Sequence, residues 1–163
     1  HQAYYSLVNR DFEWELMPLG IDQNVGTIVW SPLAAGRLSG KYRRNQPAPA
    51  DARVAQGGSP IPASAITDEV FYNIIDELEA IAKEVEKTVA QVAINWLLQR
   101  PTVSNIIIGA RNEEQLKQNF GAVGWNLTLD QVKRLDKVSE VPPVYPYWHQ
   151  REFPMLNAAP KLY

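Results

Sequence analysis

The sequence predicts a parallel α/β fold. Three observations point there: short apolar runs at residues 25–30 and 103–108, helical stretches between and after them, and capping-box motifs that mark helix starts. Residues 3–8, AYYSLV, are rich in β-formers and run into the polar Asn9-Arg10-Asp11, which predicts a short strand and an exit loop. Residues 13–23 carry Trp14, Leu16, Met17 and Leu19, but Pro18 and Gly20 limit them to a short or broken helix. The run VGTIVW at 25–30 is too continuous for a half-exposed strand, so a strand buried on both faces is expected.

Residues 31–64 contain five prolines, several glycines and little periodicity, which predicts a long, functional or mobile loop. From Thr67, the expected N-cap, Val70, Phe71, Ile74, Ile75, Leu78, Ile81, Ala82 and Val85 recur at intervals of three and four and share one helical face. Thr88-Val-Ala-Gln91 has capping-box form and opens a second helix that Pro101 stops. A buried strand at 103–108, a turn at Gly109 and a helix at about 113–120 follow. Thr128-Leu-Asp-Gln131 opens the last predicted helix, to about Val138, ahead of a tail rich in proline and aromatics at 142–163. Only three strands are recognisable. An isolated three-stranded parallel sheet leaves both edge ladders unpaired, so these residues are expected to be part of a larger α/β structure.

Composition narrows the function classes. The 163 residues suit one domain. Sixteen Lys and Arg are scattered among 18 Asp and Glu, for a net charge of −2, which argues against a nucleic-acid partner. Cysteine is absent, which excludes disulfides, thiolate metal sites and thiol nucleophiles. No apolar run approaches the ~20 residues of a membrane span, and HQAYYSLVNR lacks the order of a secretory signal, so a cytoplasmic location is expected. The lack of an initiating Met suggests a fragment or a processed chain.

Two segments could carry chemistry. NIIIGARNEEQLKQNF, at 105–120, has two readings. Asn112 can be an N-cap with Gln115 reaching back in a capping-box arrangement; alternatively the helix start and Arg111 can hold a phosphate. WSPLAAGRLSGK, at 30–41, has small residues that allow close backbone approach to a ligand, with Lys41 or Arg53 to neutralise phosphate charge. It matches neither a Walker loop nor a dinucleotide-binding glycine fingerprint, and a flexible surface loop is the plainer reading.

These residues carry a resemblance. QAYYSL at 2–7, TIVWSPLAAGRLSGKY at 27–42 and IIIGARNEEQLKQNFGAV at 106–123, in this order, resemble the C-terminal half of an aldo-keto reductase, and specifically the subgroup of aryl-alcohol-dehydrogenase-like reductases and potassium-channel β subunits. The resemblance implies that residues 1–163 are the C-terminal portion of one (β/α)8 barrel domain, holding its sixth to eighth strands, with the tail at 142–163 near the substrate pocket. It implies an NADPH site. Gln2 would bond the nicotinamide carboxamide and Trp30 would stack on the nicotinamide ring. Ser31, Pro32, Leu33, Ala34 and Gly36 would line the pyrophosphate, with Lys41 and Arg53 as phosphate contacts. Gly109, Arg111, Gln115 and Asn119 would hold the adenosine 2′-phosphate and adenine, with Gln118 nearby.

The resemblance also implies reduction of an aldehyde or ketone by hydride transfer, or a nucleotide-sensing role with little turnover. Many members carry Lys at the position of Gly109, so Arg111 is left to supply positive charge there. The family's catalytic Asp, Tyr, Lys and His lie on strands before the sixth. Tyr4, Tyr5, His1 and His149 do not match them, so this chain alone is expected to be inactive without the missing N-terminal half of the barrel. Trp148 and His149 in the tail are substrate-pocket candidates, against the plainer reading that the tail's aromatics cover the barrel or bury an interface. Association with further copies is compatible with the sequence.

Overall fold

A computed structural model describes residues 1–47 and 66–153; Arg53 and the tail beyond residue 153 lie outside the described residues. The elements run in the order strand, helix, strand, two helices, strand, three helices. They are β1 (Gln2–Tyr4), α1 (Leu16–Asp22), β2 (Thr27–Trp30), α2 (Asp68–Glu84), α3 (Val89–Leu98), β3 (Val103–Ile106), α4 (Glu113–Phe120), α5 (Leu129–Val138) and α6 (Tyr147–Glu152). Single 3-10 turns lie at Asp11–Glu13 and Ala34–Gly36. The strands form one sheet in the order β1-β2-β3, both pairs parallel, as the alternation of strands and helices predicts.

Local chemistry sets most helix starts. Thr67, Thr88 and Thr128 each accept a hydrogen bond from the backbone N–H three residues on, and the last two form complete capping boxes with Gln91 and Gln131. Gln91 does more than cap. Its Oε1 accepts from Thr88 N at 2.9 Å while its Nε2 donates to the Gln118 carbonyl of α4 at 2.7 Å. A Cβ at Gly121 would meet that same Nε2 and force the Gln91 amide to shift.

The hydrophobic core lies on one side of the sheet. Ala3 and Val29 face it from the strands, and Ile74, Leu78, Ile81, Val92, Trp96, Leu97 and Leu135 meet them from α2, α3 and α5. The opposite side of the sheet is uncovered: Ile28 is 39%, Trp30 36% and Ile107 47% exposed, with Gln2 and Asn105 also exposed. The run at 25–30 is expected from sequence to be buried on both faces and that at 103–108 to be a buried strand, within a larger α/β structure; here the side away from the helices is left open. Their sequence is that of parallel strands with two covered faces, but only the helix-facing one has partners among the described residues. The third strand is also an open edge, with Ser104 and Asn105 exposed. α4 has no buried residue; Leu116 and Phe120 are exposed on it, and Val123 just beyond it.

The first strand is shorter than its β-forming run. After Tyr4 the chain turns in, Ser6 and Asn9 form an antiparallel bridge, and Tyr5 is fully buried. There it joins an ionic network. Arg10 holds Glu13 through two bonds, Nε to Oε1 at 2.9 Å and Nη2 to Oε2 at 2.8 Å. Tyr5 donates to Glu13 Oε1, and Arg100 Nε donates to the Tyr5 hydroxyl at 3.2 Å. Arg100 Nη1 reaches both oxygens of Asp136 at 3.1 Å, Trp96 Nε1 donates to Asp136 Oδ1 at 3.0 Å, and Arg10 Nη1 donates to Ser139 Oγ at 2.9 Å. Both guanidinium groups also lie over the Trp96 ring. The network fastens the connection after β1 to the ends of α3 and α5.

Burial first, and then the Glu13 carboxylate, push the Tyr5 hydroxyl well above its usual pKa near 10, against the pull of Arg100 and Arg10. A group whose pKa is raised on folding favours the folded state fully below its unfolded value and loses that contribution as pH rises through the folded one. Stability should therefore fall as pH climbs above about 10. In thermal unfolding series at about pH 8 and about pH 11, Tyr5→Phe should start lower but show a shallower alkaline decline. Equal declines would place the alkaline loss elsewhere.

Candidate functional site

Parallel topology puts the carboxyl ends of β1, β2 and β3 at one end of the sheet. The segments that leave those ends are residues 5–15, 31–47 and 107–112, so the two candidate segments are brought to the same rim by topology alone.

The first cluster sits on the uncovered side of the sheet. Gln2 and Trp30 point to that side, since Gln2 pairs with Ile28 and Trp30 lies two residues beyond it. Directly after Trp30 the backbone enters a strained turn. Ser31, Ala34 and Ala35 have φ of 53°, 48° and 57°, followed by Gly36 at 92°. Left-handed backbone at residues with a Cβ costs on the order of 1–3 kcal/mol each and persists only where the surroundings enforce it. Here Ser31 Oγ accepts from Ala35 N at 3.3 Å, the Ser31 carbonyl from Ala34 N at 2.9 Å, and the Leu33 carbonyl from Gly36 N and Leu38 N. Pro32 and Ala34 are buried, Leu33 packs partly against the core, and Lys41 is exposed.

The second cluster surrounds the start of α4. Asn112 is the N-cap and accepts from Gln115 N at 2.9 Å, as the capping reading expects. The reciprocal bond differs from that expectation: Gln115 Oε1 accepts from Arg111 N at 3.0 Å, one residue before the cap, because the chain bends at Arg111 and brings that amide within reach. Asn119 Nδ2 meets the Gly109 carbonyl at 3.5 Å, so Gly109, Arg111, Gln115 and Asn119 form one group. Gln115 and Asn119 are half-buried on the side of α4 that faces this turn, whereas Gly109, Arg111 and Gln118 are exposed. Gln118 is tied by its backbone carbonyl to Gln91, on the side toward α3.

Electrostatics divide the phosphate reading. Glu113 and Glu114 occupy the first turn of α4 and already complement its dipole, and Lys117 pairs with Glu113 at 2.7 Å. An anion here must therefore be held by Arg111 and the amides of Gln115 and Asn119 rather than by the helix end alone.

In the tail, Trp148 is exposed and His149 half-buried in an aromatic group with Tyr145 and Phe153; the His149 and Phe153 rings are 4.7 Å apart. Sequence reasoning did not anticipate α6. It docks through Tyr147, whose hydroxyl donates to Glu15 Oε2 at 3.2 Å and whose ring lies 5.5 Å from Trp14. The tail thus meets the segment that leaves β1, the same strand that presents Gln2. Tyr4, which stacks on Trp30, was also missed as a site residue; its i+2 spacing from Gln2 was the available signal. Among the described residues no group of His, Asp and Glu could hold a metal ion, and no helix is long and apolar enough to cross a membrane.

Comparisons with known proteins identify the family and the fold. Residues 1–140 match the family model described as the Aldo/keto reductase family. The chain is 34% identical over 139 residues to a probable voltage-gated potassium channel subunit beta of Arabidopsis thaliana, covering 85% of this chain and 42% of that protein. It is 32% identical over 143 residues to the L-glyceraldehyde 3-phosphate reductase of Escherichia coli K12, covering 86% of this chain and 40% of that protein. Among solved structures, the glycerol dehydrogenase of Gluconobacter oxydans superposes with a TM-score of 0.69 at 26% identity, covering 89% of this chain and 44% of that one. The chain thus spans less than half the length of the relatives it matches, and its α/β fold is part of a (β/α)8 barrel.

Proposed function

The chain belongs to the aldo/keto reductase family, and on that footing we propose that it forms the NADPH-binding portion of an oxidoreductase that reduces aldehydes or ketones to alcohols. The observation that carries this reading is the convergence at one sheet rim of an exposed aromatic, a strained small-residue turn and an Arg-amide cluster. The residues present fit the cofactor. Trp30 offers an indole on the open side of the sheet, and Gln2 offers an amide on the same side. The turn at Ser31–Gly36 is held open in left-handed backbone, and Arg111 with Gln115 and Asn119 can bind phosphate and adenine.

Bound NADPH supplies the hydride that reduces the carbonyl. The chain's own residues would orient it: Gln2 and Trp30 would hold the nicotinamide, the 31–36 turn would line the pyrophosphate with Lys41 and, from outside the described residues, Arg53 as counter-charges, and the start of α4 would take the 2′-phosphate with Gln118 beside it. The proton for the product alcohol comes from a tyrosine in the N-terminal half of the barrel, so the described residues alone do not turn over. The tail, with Trp148 and His149, borders the substrate side. Residues 1–163 act as part of a single barrel domain in the cytoplasm.

Cofactor preference tests the reading. In the complete polypeptide that carries this chain, Arg111→Ala should weaken NADPH about tenfold and NADH less than about twofold. Gly109 gives a counter-test, because a Cβ there meets nothing within 4 Å and its backbone is not left-handed. Gly109→Lys should therefore be tolerated and should raise the preference for NADPH by about five- to tenfold. Equal changes for both cofactors in both variants would remove the 2′-phosphate from this site.

The potassium-channel β subunits among the relatives favour a second reading, a nucleotide sensor whose occupancy matters more than turnover. An aldehyde-reduction assay on the complete polypeptide separates the two: tight NADPH binding with negligible turnover selects the sensor.

A further inference from the structure

Tyr4 follows Gln2 by two residues on β1, so both side chains leave the same side of the sheet. The register places Tyr4 opposite Trp30. Neighbouring strands lie about 4.8 Å apart, and the two rings stand at that spacing, with centroids 4.8 Å apart and planes 25° from parallel. Tyr4 is half-buried while Trp30 stays exposed, so the pair is covered from the β1 side and open from the other.

An indole has two faces, and a flat ligand ring needs one of them held still. Without a neighbour, an aromatic side chain on an uncovered sheet face samples several rotamers, each presenting a different plane. Offset stacking on a strand neighbour removes that freedom, because the neighbour's backbone position is fixed by the ladder. We propose that Tyr4 is a positioning residue that stacks on the β1-side face of Trp30, locks the indole plane and leaves a single face for the nicotinamide, a role that rests on the reading of Trp30 as the nicotinamide platform. Tyr4 suits the task chemically. Its phenol is neutral at neutral pH like any tyrosine, and burial, foremost, raises its pKa further.

The opposite arrangement makes a contrary prediction. If the Tyr4 ring held the place of the nicotinamide and had to be displaced, removing it would tighten cofactor binding. The experiment compares Tyr4→Phe, Tyr4→Leu and Trp30→Leu in the complete polypeptide, with NADPH titration, steady-state reduction of an aromatic aldehyde, and fluorine NMR of protein labelled with 5-fluorotryptophan. The Trp30 resonance is assigned by its loss in Trp30→Phe.

Tyr4→Phe keeps the stack and should match the parent within about twofold in every readout. Tyr4→Leu should weaken NADPH by about five- to tenfold and lower kcat with little change in the aldehyde KM, because nicotinamide orientation is lost rather than substrate binding. In the cofactor-free protein its Trp30 resonance should broaden or split while that of Tyr4→Phe stays single. Tighter NADPH binding by Tyr4→Leu, or an unchanged Trp30 resonance, overturns the proposal. Failure of the underlying reading looks different: Trp30→Leu then binds NADPH like the parent, which overturns the cofactor part of the proposal, while the fluorine spectra still report whether Tyr4 fixes the indole.

Discussion

Glu13→Ala should cost about 3–5 kcal/mol of stability, because it strands two guanidinium groups in the interior. Glu13 is 6% exposed, and its oxygens take both bonds from Arg10 as well as the Tyr5 hydroxyl, with Arg100 3.7 Å away. Arg10 and Arg100 are each 7% exposed, so solvent replaces a lost carboxylate poorly. Asp136 compensates only in part, since it already accepts from Arg100 and Trp96. The measurement is the shift in urea midpoint of the complete polypeptide at unchanged slope. Arg134→Ala is the control. Arg134 lies on the surface between Glu77 and Glu84, and exposed pairs of that kind contribute about 0–1 kcal/mol. A Glu13→Ala loss no larger than that of the control would mean that water reaches the network.

Asn95→Ala should cost about 3 kcal/mol and loosen the region that follows α4. Asn95 is 1% exposed, and its amide donates to the Ala122 and Trp125 carbonyls at 2.9 and 2.8 Å while its oxygen accepts from Leu127 N at 3.1 Å. Truncation leaves those backbone groups unpaired where solvent cannot replace them. Hydrogen exchange resolved over residues 113–127 should speed up more than exchange in α2. Uniform acceleration across both would show that the cost is global rather than placed at this junction.

Helix starts were legible in the sequence because their causes are local. Thr67, Thr88 and Thr128 sit three residues from the amides they cap, and α4 covers the residues expected of it. The parallel order of the strands was legible too, and with it the convergence of the segments after Trp30 and Ile106 on one rim. Burial was not, because it depends on what lies across the sheet. Ile28 and Ile107 belong to apolar runs yet are exposed. The network of Arg10, Glu13, Arg100 and Asp136 was not legible either, since nothing local links residues 126 positions apart. The left-handed backbone at Ser31, Ala34 and Ala35 has no side-chain signature, unlike that of Gly36 and Gly40. Within the site, the aromatic and the Arg-amide cluster could be named from sequence, whereas the Tyr4 stack and the acidic first turn of α4 acquire meaning only from geometry.

The double bond of Gln91 gives the molecule a mechanical property. One side-chain amide closes the start of α3 and clamps the end of α4. The two helices therefore share one side chain: a shift of α4 along α3 that stretches the Gln118 contact also strains the bond to Thr88 N, while the Thr88 hydroxyl still caps Gln91 N. Gln91→Glu would keep the oxygen that caps and lose the hydrogen that clamps, uncoupling the two motions in a single atom exchange. In the native chain the residue that closes the start of α3, the helix whose Trp96 and Asn95 enter the core, is thereby tied to the end of α4, the helix that begins beside Gly109 and Arg111.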